Sequence, residues 1–138
     1  MSTAAIMQPF AGPAPMKRIL VATLLGLAMG GICATAAFSA GILKFTPATL
    51  AWILLNRTVM GAAIGMSGLR LHWAWNGFVI GVVVGSVFAF YLFMNVPGPL
   101  FAINAVVNGF YGLIIEFFAT VVFKLPPLGR SRAALRAA

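Results

Sequence analysis

The chain has 138 residues, 62% of them hydrophobic and 7% charged, with nine Lys or Arg against a single acid and a formal net charge of +8. A soluble domain carries about a quarter charged residues, so this chain cannot cover a water-facing surface, and its mean hydropathy of +1.07 points to lipid as the solvent for most side chains. The length allows one compact unit and not two. The bases cluster between apolar runs and at the C-terminus, which suits lipid head groups; the basic stripe interleaved with aromatics that nucleic acid requires is absent.

Residues 1–15 mix small side chains with Pro9, Pro13 and Pro15, too little periodic apolar content to pack, and are expected to be disordered. Met16, just before Lys17 and Arg18, is a second candidate start. The first apolar run covers about residues 19–43, carries no charge, and is long enough to span about 30 Å of hydrocarbon. Lys44 ends it, and Pro47 marks the first turn of a second helix over about residues 48–69, with Arg57 inside and Arg70 closing it. The third run, 73–94, is uncharged. Asn95, Pro97, Gly98 and Pro99 then force a turn. The fourth, 100–123, contains Glu116 and stops at Lys124, Pro126 and Pro127. A basic tail, 128–138, carries Arg130, Arg132 and Arg136.

These runs are apolar on all sides for twenty residues or more and lack the alternation of barrel strands. The expected fold is therefore an all-α integral membrane bundle of about four transmembrane helices, 16–127, arranged by its short loops as two antiparallel hairpins. The first run also fits a signal peptide, with Lys17-Arg18 as its basic region and Ala34-Thr35-Ala36 as a cleavage site. Apolar character continuing to Leu43 and the long preceding segment weigh against cleavage. With the N-terminus inside, Lys17, Arg18, Arg70, Lys124, Arg130, Arg132 and Arg136 are cytoplasmic and Lys44 alone is outside, so both termini are expected in the cytoplasm. Trp73, Trp75 and His72 then sit at the cytoplasmic interface. Asn76-Gly77-Phe78 recurs as Asn108-Gly109-Phe110, at unlike places in their helices, and is read as coincidence.

In lipid, helices meet where small residues let backbones approach. Such faces are Ala22, Gly26, Gly30 and Ala34 in the first helix, Gly61 and Gly65 in the second, Gly77, Gly81 and Gly85 in the third, and Ala105, Gly109 and Gly112 in the fourth. Packing within the bundle is the expectation, the alternative being that the long ridge of the third helix meets a second copy of the chain. A second copy or another membrane protein is the expected partner besides the bilayer, with no nucleic acid.

Arg57 and Glu116 are the ionisable groups inside the expected spans. Each would cost at least about 2.5 kcal/mol unpaired in hydrocarbon, and each lies on a small-residue face. A shared polar site of Arg57, Glu116, Asn104 and Asn108 is expected. Arg57 and Glu116 lie about 12 Å apart along the helix axes, so the two asparagines are alternative partners for the arginine. Chemistry beyond this has little footing. Cys33 stands alone and reads as a small packed residue; no His/Cys/carboxylate cluster for a metal, no nucleophile with a base and no cofactor motif is present. The leading reading is a non-enzymatic transporter or permeation protein working at Arg57 and Glu116; the alternative is a membrane scaffold or accessory subunit acting through its small-residue helix faces.

Overall fold

A computed structural model describes residues 13–69, 71–93, 98–125 and 127–128. They form four helices and no strand: α1 Pro13–Ser39, α2 Pro47–Met66, α3 Trp73–Phe93 and α4 Gly98–Phe117, the last continued by a π-helical turn, Phe118–Val122. Pro15–Ser39, Pro47–Met66 and Phe101–Val122 are long and apolar enough to cross a membrane; Trp73–Phe88 of α3 is a shorter apolar stretch. Residues 1–12, Arg70, residues 94–97 and the basic tail from 129 onward, with its three arginines, lie outside the described residues.

The helix ends have local causes. The expected disordered segment reached residue 15, yet α1 already begins at Pro13; proline is suited to a first turn, where its missing N–H has no partner to lose. At the other end α1 stops at Ser39 and not near residue 43. Gly41 takes a left-handed φ of +66°. Its N–H reaches the Phe38 carbonyl and that of Ile42 the Ala37 carbonyl, the pattern by which a glycine terminates a helix. Thr46 caps α2 by accepting a hydrogen bond from the Thr49 N–H at 3.0 Å, with Pro47 in the first turn. α2 ends three residues before the expected 69 because Ser67 leaves the helix with ψ 124° and donates its hydroxyl to Asn76 Oδ1 at 2.8 Å. That bond ties the end of α2 to the start of α3. His72 does more than face solvent: its Nδ1 accepts from the Ala74 N–H at 3.4 Å.

Two tight antiparallel hairpins, α1–α2 and α3–α4, make up the bundle. A Cβ built on Gly61 would stand 2.2 Å from the Ala22 carbonyl oxygen, and one on Gly26 2.3 Å from that of Arg57. In the second hairpin, a Cβ on Gly112 would stand 2.2 Å from the Gly77 carbonyl oxygen, and one on Gly81 2.4 Å from that of Asn108. The two clasps match position for position: Ala22, Gly26 and Gly30 correspond to Gly77, Gly81 and Gly85, and Arg57, Gly61 and Gly65 to Asn108, Gly112 and Glu116. The repeat in this chain is therefore this clasp; Asn76-Gly77-Phe78 and Asn108-Gly109-Phe110 occupy unlike positions in it. Gly77, Gly81 and Gly85 are filled by α4, so the long ridge of α3 is not free for a second copy.

Between the hairpins, Ala22, Met60, Ile64, Ile115 and Ala119 form the buried apolar core, with Leu25, Met29, Ile80, Val84 and Tyr111 packed against it. Large apolar side chains also face outward, among them Leu20, Leu55, Val83, Ile103 and Phe110, while Arg18, Arg57, Asn76, Asn108 and Glu116 are buried. The bundle thus buries polar groups beside its apolar core and turns large apolar side chains outward.

The clasp predicts a sharp contrast among glycines. Gly61→Ala forces a methyl onto backbone and should destabilise the fold by about 1–3 kcal/mol. Gly31→Ala, with nothing within 4 Å of its added methyl, should be neutral or stabilising by up to about 1 kcal/mol. Unfolding in detergent measures both, and equal effects would contradict the clasp.

Candidate functional site

Two polar layers are buried in the bundle. The first lies where α1 starts and α4 ends. Arg18 is 1% exposed and Glu116 fully buried. Arg18 Nη2 donates to both carboxylate oxygens of Glu116 at 2.8 Å. Its Nη1 donates to Thr120 Oγ1 at 3.0 Å and to the Leu125 carbonyl, and the Thr120 hydroxyl donates to Glu116 Oε1 at 2.8 Å, closing a ring. Thr120 lies in the π turn. The turn closes with the Phe123 N–H on the Phe118 carbonyl and that of Leu125 on the Ala119 carbonyl. With Lys124 at a left-handed φ of +53°, the chain reverses there and brings the Leu125 carbonyl to Arg18. A regular α-helix would have no such carbonyl at that place; π turns often mark special local geometry.

The second layer lies about 12 Å deeper, the eight residues of α4 from Glu116 back to Asn108. Arg57, 4% exposed, donates from Nη1 to Asn108 Oδ1 and from Nη2 to Cys33 Sγ at 3.5 Å. Its guanidinium lies over the Tyr111 ring, 4.0 Å from the centroid, a cation–π contact strengthened by low dielectric. Asn108 Nδ2 donates to the Asn104 carbonyl at 2.8 Å, which orients the amide oxygen toward the arginine. Arg57 and Asn108 occupy equivalent places in the two clasps, so the hairpins join through matching positions. Among the described residues, Arg57 Nε has no hydrogen-bond partner, and neither does Arg18 Nε.

The shared site expected from sequence is thereby divided. Arg57 and Asn108 come together, but Asn104 contributes its main-chain carbonyl and not its amide. Glu116 joins Arg18, a residue read from sequence as a cytoplasmic flank. The distance along α4 is what separates Glu116 from Arg57, and Arg18 lies at the carboxylate's own level. A signal for Arg18 was present: it stands four residues before Ala22, at the head of the stripe that continues as Gly26 and Gly30, as Arg57 stands four before Gly61. Cys33, Tyr111 and Thr120 carry no such signal, because each is an ordinary occupant of an apolar helix. Among the described residues no group of three or more His, Cys, Asp or Glu is placed to hold a metal.

The chain matches no protein-family model, no curated protein and no solved structure.

Breaking a buried ion pair by removing one partner strands the other charge and costs about 3–5 kcal/mol. Arg18→Met and Glu116→Gln should each cost on this order, and the double variant distinctly less than their sum. Arg57→Met combined with Glu116→Gln should instead be additive within about 0.5 kcal/mol. Detergent unfolding of these four variants and of Arg57→Met alone checks this; coupling of Glu116 to Arg57 and not to Arg18 would contradict the pairing.

Proposed function

We propose that this chain is a multi-pass membrane protein of four spans, with both termini in the cytoplasm, that serves as a non-catalytic scaffold or accessory subunit and not as a carrier. Its apolar exterior and buried polar groups support residence in a bilayer, since lipid solvates what water would not. The excess of basic residues at the end shared by Lys17, Arg18 and Lys124 supports the orientation.

One observation carries the choice against a carrier. Glu116 is the chain's only acid; it is fully buried, and both its oxygens are engaged, by the buried Arg18 and the half-buried Thr120. A carboxylate that moves protons or ions has to exchange partners between two sides of a membrane; this one is committed to a guanidinium. Its charge is spent on joining α1 to α4. The outward groove of α1 along Ala28, Gly31, Ile32, Thr35 and Ala36 supports the scaffold role, because small side chains there would let a neighbouring helix approach closely.

Arg57 supports a second reading. A buried guanidinium with no carboxylate and an unpartnered Nε would attract an anion, and a permeation role would be centred there. Purified chain reconstituted in liposomes separates these readings. The scaffold reading expects proton and chloride flux equal to that of protein-free vesicles. Flux abolished by Glu116→Gln would reinstate the carrier, and chloride flux abolished by Arg57→Gln alone would favour the second reading.

A further inference from the structure

We propose that the end of the α1–α4 seam, at Lys17 and Lys124, is a binding site for the phosphodiester headgroup of an anionic phospholipid. The inference rests on the membrane reading above. Arg18 hydrogen-bonds the Leu125 carbonyl, so the residues just before each, Lys17 and Lys124, are brought to the same end of one seam. Both are exposed, and among the described residues neither makes a hydrogen bond or ion pair. No acidic side chain is left to neutralise them, because the chain has one acid and Arg18 holds it. Two uncompensated ammonium groups beside the ends of two apolar helices call for an anion that the chain itself does not supply.

The backbone fixes one of the two. Lys124 has a φ of +53°, a region that residues other than glycine and asparagine seldom occupy. It is held there by the N–H bonds of Phe123 and Leu125 back into the π turn. Its Cβ therefore leaves the helix end in a set direction, and among the described residues its ammonium makes no hydrogen bond or ion pair. Apolar surface continues from the other. Leu20 and Leu24, three and seven residues after Lys17, share its helical stripe and are 59% and 55% exposed. Val121, Val122 and Phe123 are likewise exposed just before Lys124. A cationic pair with apolar tracks leading away from it matches a molecule with an anionic head and acyl tails, and free phosphate would use only half of this surface.

The test is native mass spectrometry of the detergent-purified full chain with equal phosphatidylglycerol and phosphatidylcholine. The wild-type chain should carry phosphatidylglycerol adducts in preference. The preference should fall by about five-fold for each lysine removed, in Lys17→Gln/Lys124→Gln. It should fall equally in Lys17→Gln/Lys124→Gly, where glycine relaxes the backbone and so excludes misfolding as the cause. Replacing Arg130, Arg132 and Arg136 with glutamine should leave it intact. Equal adducts of the two lipids on the wild-type chain, or an undiminished preference in both lysine variants, would overturn the site. Displacement of phosphatidylglycerol by millimolar inorganic phosphate would also overturn it, assigning the lysines to the free anion. Release of the chain from membranes by alkaline carbonate would instead mean that the membrane reading itself has failed; an embedded chain without the preference overturns this inference alone.

Discussion

Glu116 is one carboxylate among nine basic side chains, and it lies where no water reaches it. An isolated carboxylate in such a place would be prohibitively unfavourable, so its position demands a cation at the same depth. Arg18 answers that demand from the first helix, ninety-eight residues away in sequence. The consequence is topological. The start of α1 is locked to the end of α4, and the two hairpins, each already closed by its own glycine clasp, are held as one bundle. The π turn and the left-handed Lys124 serve the same need, since they bring Thr120 and the Leu125 carbonyl to the Nη1 hydrogens of the guanidinium.

The clasps explain why the second charge tolerates burial without a carboxylate. Arg57 and Asn108 face each other because each stands one turn before the crossing glycine of its hairpin, Gly61 and Gly112. The arginine gains an amide oxygen, a sulfur and an aromatic face, which together offset part of the cost of its desolvation. Two layers of different character result: an ion pair at one end of the bundle, and a cation held by neutral dipoles and a ring in its middle. The first suits a fastener. The second keeps an unmatched charge inside.

Much of the fold was legible from residue order because apolar runs of this length admit few alternatives. The four helices, their order and the opening role of Pro47 follow from hydropathy and proline chemistry alone. Their ends did not, because they are set by single interactions: the left-handed Gly41, and the Ser67 hydroxyl that turns toward Asn76. The site was legible in halves. Arg57 with Asn108 could be anticipated from depth along the helices. Arg18 was obscured by Lys17 beside it, since a Lys-Arg pair before an apolar run ordinarily marks the membrane boundary. The cue that separates them is facial: Arg18 continues the stripe of Ala22, Gly26 and Gly30, whereas Lys17 points elsewhere and stays exposed. The π turn has no sequence signature that propensity reasoning can use.

With one glutamate and no aspartate in the chain, a carbonyl-type label on the glutamate side chain reports on Glu116 alone. Solid-state NMR of the protein in lipid, with 13Cδ-glutamate and 15Nη-arginine, measures which guanidinium lies beside it. Nη2 at 2.8 Å from both carboxylate oxygens implies a nitrogen–carbon separation of about 3.2 Å for a charge-assisted pair. The account predicts a dipolar coupling of that strength, lost in Arg18→Lys and retained in Arg57→Lys. A coupling that survives Arg18→Lys and disappears in Arg57→Lys, or no short coupling at all in the wild-type protein, would contradict it.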